Sequence, residues 1–185
     1  MTRESAVWWS SIASVALALA VSGCSSLPQD GGVQQQLDER TGITVTRLAK
    51  PLELTVTASP GPANDPFAYL SPFQTNRMGE RADFLWLAVP ANGALLADPV
   101  IRADGEIVTV GELSNSPTIT QLEFGPYQTP APWSRQFFAN ADDAVMQQLA
   151  KARRVEIMTR DASGEWTFVL EGDALRALAK YAETR

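Results

Sequence analysis

Apolar and polar residues alternate with period two over much of the middle of this chain, and that rhythm predicts strands. Residues 43–46 (ITVT) alternate, and 52–57 (LELTVT) do so more strictly. There Leu52, Leu54 and Val56 share one face, with Glu53, Thr55 and Thr57 on the other, as in a strand with one wet side. Residues 67–70 predict a third strand. Residues 84–89 (FLWLAV) are apolar on both faces, which predicts a central strand covered on each side. Between these two, 71–81 (SPFQTNRMGER) reads as a turn-rich connection. Asp104-Gly105, between two branched runs, is the strongest hairpin signal, because a tight primed turn needs positive φ at both central positions. Residues 119–124 predict another strand. A proline-rich loop follows over 125–133 (GPYQTPAPW).

In the last third the period lengthens to that of helices. Asn140 can cap a first helix, with Asp142 and Asp143 in its first turn and Val145, Leu149 and Ala152 along one side. A hairpin over 155–159 and 166–170 turns through 161–164. Asp173 then caps a last helix in which Leu175, Leu178 and Ala182 share a face. The pattern as a whole predicts one α+β domain: a mostly antiparallel β-sheet or sandwich with two C-terminal-region helices packed on it.

The first quarter reads differently. Arg3 precedes an apolar run over 12–21 (IASVALALAV), small residues follow, and then comes Cys24, the only cysteine. Counted generously, 6–21 is shorter than the roughly 20 apolar residues a spanning helix needs. Val21-Ser22-Gly23-Cys24 resembles the lipobox of bacterial lipoproteins: a branched apolar residue, a small residue, Gly or Ala, then Cys. The resemblance covers the signal and its cleavage site. It implies cleavage before Cys24, a thioether-linked diacylglycerol on its sulfur and acylation of the new amino group. Two or three chains on one residue hold a protein firmly, where one chain binds only marginally. Ser25 and Ser26 follow, with no Asp after the cysteine; by resemblance to the sorting rule of enteric bacteria, this implies the outer membrane, facing the periplasm. Residues 25–37 (SSLPQDGGVQQQL) are polar and read as a tether reaching roughly 45 Å when extended. The expected organisation is a signal peptide over 1–23, a lipidated, flexible segment over 24–42 and one domain over 43–185.

Charge and composition narrow the chemistry. The net charge is −6, which gives the domain no general attraction for nucleic acid. No histidine is present, so Ser-His-Asp and Cys-His machinery and histidine-ligated zinc are excluded. With its cysteine lipidated, the domain has no internal disulfide. No phosphate-binding glycine loop or nucleophile elbow occurs. No metal or cofactor is expected. A hydrolase would have to rely on paired carboxylates.

Three clusters carry possible binding chemistry. Asn76, Arg77 and Arg81 could grip a carboxylate or phosphate, although a solvated hairpin loop is the commoner fate of such residues. Tyr127, Trp133, Phe137 and Phe138, among Pro126, Pro130 and Pro132, could form a recognition surface; core packing is the better expectation. Lys151, Arg153 and Arg154 could meet lipid headgroups, but cations suit the end of a helix through the backbone dipole alone. The expected function is therefore non-catalytic: a membrane-anchored binding or assembly domain with an envelope protein as partner. The alternatives are a small-ligand or glycan-binding module, and a carboxylate-based hydrolase.

Overall fold

The computed structural model describes residues 32–60, 66–91, 94–129 and 131–185; the signal segment, Cys24, the first part of the predicted tether and Pro130 lie outside them. In chain order the elements are β1 (Val33–Asp38), β2 (Ile43–Leu48), β3 (Leu52–Ala58), β4 (Ala68–Arg77), β5 (Glu80–Pro90), β6 (Leu95–Ala103) and β7 (Glu106–Ile107). A short 3-10 turn (Pro117–Thr120), β8 (Ser134–Asn140), α1 (Asp143–Lys151), β9 (Val155–Asp161), β10 (Gly164–Leu170) and α2 (Asp173–Thr184) complete them. All pairings among the described strands are antiparallel, so the α+β architecture with two late helices is as the pattern predicts.

The first sheet runs β1-β2-β4-β5-β8, and the second runs β10-β9-β6-β7. Strand β3 joins them. Its first half, Leu52 to Leu54, pairs with Leu70 to Ala68 of β4; its second half, Thr55 to Ala58, pairs with β10. A register shift between Thr167 and Phe168 takes up the bend. One core lies between the sheets and under the helices, built from Leu54, Leu70, Leu85, Leu87, Ile157 and Phe168 with Met146, Leu149 and Leu178. A second apolar cluster, with Ile43, Phe73, Phe84, Trp86 and Phe138, lies on the opposite face of the first sheet, where Leu122 and Tyr127 cover it. Strand β5 is buried from Phe84 to Val89 because each face serves a different core. Tyr181 Oη donates to the Thr46 carbonyl (3.1 Å). Arg185, at the end of α2, reaches Asp83 (2.7 Å) and Asp143, so the last helix is fastened to the first sheet and to α1.

Five sequence expectations need correction. Val33–Asp38 is a strand and not a tether: it pairs residue by residue with β2, and the backbone ladder orders a glutamine run that has little to bury. Most of 71–81 is strand too, folded into a β4–β5 hairpin around Met78 (φ 53°) and Gly79 (φ 97°). Its polar residues masked a strand in which Ser71, Gln74 and Thr75 are buried. Residues 119–124 are not a strand, because Ser116 caps a 3-10 turn at Pro117 and Gln121 takes φ 62°. Asn140 ends the unpredicted strand β8, so the cap of α1 is Asp142, whose Oδ1 accepts from Val145 N (2.8 Å). Asp173 is the first helical residue of α2, with Gly172 at the cap position and no side-chain cap bond.

The Asp104-Gly105 hairpin forms as expected, with φ of 51° and 88°. Asp104 also does something the motif does not specify: its Oδ1 accepts from the backbone N–H groups of Arg153 and Arg154, both at 2.9 Å. These are donors that the helix end and the start of β9 leave unpaired. Replacing Asp104 by Ala should lower unfolding stability by about 1 kcal/mol. Asp104→Asn, which keeps an acceptor and tolerates positive φ, should lose clearly less when both are compared by urea denaturation.

Candidate functional site

The hairpin that carries Asn76, Arg77 and Arg81 does not gather them. Asn76 and Arg81 are cross-strand partners and share one face, while Arg77 pairs with Glu80 on the other. Asn76 Oδ1 is occupied by the Gly79 N–H (3.0 Å), and Arg77 donates to Gln121 Oε1 (3.2 Å). Arg81 is exposed. Such an arrangement stabilises a turn and pins the 3-10 segment to it, but it does not converge on an anion.

The aromatic cluster divides by burial. Phe138 and Phe137 are core residues of β8, and Tyr127 is inserted beneath the loop. The Tyr127 hydroxyl donates to the Leu48 carbonyl (2.9 Å) and lies 2.7 Å from Ser71 Oγ, while Arg47 covers its ring at 4.9 Å. Trp133 alone stays outside, 59% exposed. Lys151 sits in the last turn of α1, and the Arg154 side chain bridges Glu156 (2.8 Å) and Glu171 (3.5 Å). Of these three cations, Arg154 is tied to the fold by its side chain, while Lys151 and Arg153 are exposed.

The most promising site comes from the way the two sheets end. A cleft of about 700 Å³ opens between β6 and β8, lined by Ala94 to Asp98, Asn115, Thr129 and Ser134 to Phe137. Phe137 and Leu95, both packed on the main core, close its inner end. Leu96 stands at its mouth, 66% exposed. The pairing pattern fixes how β8 presents its backbone there. Phe138 exchanges two hydrogen bonds with Ser114 across the outer edge (both 2.8 Å), so residues of that parity point away from β5. Gln136 follows the same rule and turns its N–H and carbonyl toward the cleft. Asp98 and Arg135 bring one charge of each sign.

Sequence reasoning missed this site. The apolar run Phe137 to Ala139 could have announced β8, but an open edge depends on which strands fail to pair, and no local pattern records that. Among the described residues no cluster of acidic or sulfur ligands could hold a metal ion, and no helix is long and apolar enough to cross a membrane. The chain matches no protein-family model, and no similar curated protein or solved structure was found.

Burial governs the chain's three tyrosines. It pushes the Tyr127 hydroxyl up to about 12, with the Ser71 hydrogen bond acting the other way. It also raises Tyr69 and Tyr181. A folded value above the unfolded one means that the neutral phenol stabilises the fold. Its full contribution is present below pH 10 and is lost as pH rises through the folded value. For Tyr127 this amounts to something on the order of 2 kcal/mol, falling away between about pH 10 and 12. Thermal melts across that window should show a steep decline in midpoint, and Tyr127→Phe should make it shallower, with Tyr69 and Tyr181 still contributing, while lowering the midpoint at neutral pH.

Proposed function

We propose that this protein is a lipid-anchored component of the bacterial envelope, and that its domain binds an extended segment of a partner envelope protein in the β6–β8 cleft without catalysis. The anchor would be the acyl chains on Cys24, with the outer membrane as the expected address. One observation carries the binding reading: the cleft is bounded by two strand edges, and Gln136 directs its backbone donor and acceptor into it. An extended polypeptide completes such an edge with main-chain hydrogen bonds, and its alternate side chains find pockets. Leu96 supplies an exposed apolar contact, and Phe137 with Leu95 a hydrophobic floor.

The composition of the cleft supports binding over hydrolysis. Asp98 is the one carboxylate among its described lining residues, whereas glycoside hydrolysis uses two acids roughly 5–10 Å apart. Phe137 is the one aromatic ring in that lining, which favours a peptide over the aromatic-rich cradle of a glycan site.

The test uses the full chain, expressed in bacterial cells with a photo-crosslinking amino acid at position 96 or, for comparison, at Met78 on the distal hairpin. The expected result is recurrent capture of one envelope protein from position 96 and not from 78, lost in Cys24→Ala. That variant should also stop incorporating labelled palmitate. Palmitate labelling that survives Cys24→Ala would overturn the anchor. Recovery of uncrosslinked monomer alone from position 96, in cells where a known complex is trapped, would overturn the binding site.

A further inference from the structure

Every sheet has edges, and an unpaired edge invites another strand unless it is blunted. Three of the edges here are blunted. Strand β7 is two residues long. Strand β6 carries Pro99 and two register shifts, between Leu95 and Ala97 and between Ala97 and Val100. The outer edge of β8 is occupied at Phe138 by Ser114 and at Asn140 by the Gly111 N–H, so that it stays open only at Gln136, in the cleft already described. Strand β1 differs from all of these: among the described residues nothing pairs with its outer edge. It is six residues long, pairs with β2 without a register shift, and has no proline, lysine or bulge.

The hydrogen bonds around β1 fix what it offers. Ala49 N donates to the Gly32 carbonyl (2.8 Å), which makes Gly32 and Ala49 a hydrogen-bonded pair. Pairs alternate along an antiparallel ladder, so Gln34, Gln36 and Asp38 bond inward to β2. Val33, Gln35 and Leu37 therefore direct their N–H and carbonyl groups outward. These outward groups are self-complementary. In an antiparallel pair of two copies of β1 centred on Gln35, Gln35 faces Gln35 of the second copy, Val33 faces Leu37, and Leu37 faces Val33. Every outward residue then meets an outward residue. Sliding the pair by two residues either way loses one of those three matches. The same register covers Leu37, which is otherwise 57% exposed, with the other copy's Val33. It also sets the two Asp38 carboxylates at opposite ends, clear of each other.

From this geometry we infer that β1 is a homodimerisation edge: two copies of the chain join β1 to β1 about a two-fold axis at Gln35 and continue the first sheet across the pair. This interface is separate from the β6–β8 cleft, at the other end of the same sheet, and leaves it open. It is isologous, so the assembly closes at two.

The inference is tested with the full chain in isolated envelope membranes. Gln35→Cys places two thiols opposite each other across the axis, within disulfide reach, whereas Asp38→Cys places them far apart. Mild oxidation should convert most of Gln35→Cys to a species of twice the monomer mass and leave Asp38→Cys and the wild-type chain monomeric. Gln35→Pro removes an outward N–H and no bond to β2, and Gln35→Lys sets two cations face to face. Both should weaken the detergent-solubilised dimer at least fivefold by light scattering, with unchanged circular dichroism. If the proline variant fails to fold, the lysine variant decides. Equal crosslinking of positions 35 and 38, a wild-type monomer at all concentrations, or a Gln35→Cys adduct with a different protein would each overturn the inference.

Discussion

One edge of strand β4 has to satisfy two partners, and the architecture follows from how it does so. Residues 73–76 pair with β2 and residues 68–70 with β3, so the edge changes partner in between. Pro72 sits at that break. By the alternation of the ladder and the β2–β4 register, its missing N–H would have faced the Leu48 carbonyl at the end of β2, which accepts from the Tyr127 hydroxyl instead (2.9 Å). A residue that would damage most central strands is tolerated here because the carbonyl it leaves without a ladder bond is satisfied by the covering segment. It marks where the chain turns from one sheet into the other. Because β3 leaves β4 after Leu54 and continues along β10, the sheets are joined covalently and by a shared ladder, and a single core can form between them.

From that corner the two-sided burial of β5 follows. The sandwich covers one face and leaves the other bare, and the segment between β7 and β8 folds back over it. Tyr127 is the fastening point: its ring fills the second core against Trp86, and its hydroxyl reaches the end of β2. Arg40 and Glu123 clamp the same segment at the far side (2.7 and 2.8 Å). A stretch with almost no regular structure of its own thus acts as the third layer of the domain.

How far this was legible in the sequence depended on what kind of information each feature carries. Strands β3 and β5, the Asp104-Gly105 hairpin and both helices are written locally, in alternation, turn chemistry and helical spacing. The β4–β5 hairpin was hidden because Gln74, Thr75 and Asn76 look like loop residues; ladders along both edges satisfy their backbone, and the buried Gln74 amide donates to Asp83 Oδ1 (3.0 Å). Strand β1 was hidden for the opposite reason, as it buries little and is a strand only because β2 lies beside it. The candidate cleft was illegible for a deeper cause. It is made by two strands that do not pair, and neither Leu96 nor Gln136 has any unusual feature in its own neighbourhood. The Asn76, Arg77 and Arg81 cluster shows the converse: adjacency in sequence, on a strand, sends neighbours to opposite faces.

The closing of the fold by its last helix also constrains time. Tyr181 reaches back to Thr46 across 135 residues, and β10 must arrive before β3 has a partner for its second half. Local hairpins can form as soon as their residues are free, but the interior cannot be sealed until nearly the whole chain is present, as expected where distant contacts dominate. On the export reading, this order of events suits a chain that crosses a membrane unfolded. Were the chain exported as proposed, the absence of the final strand and helix would hinder compaction before it had crossed, and the domain would close only once both had emerged.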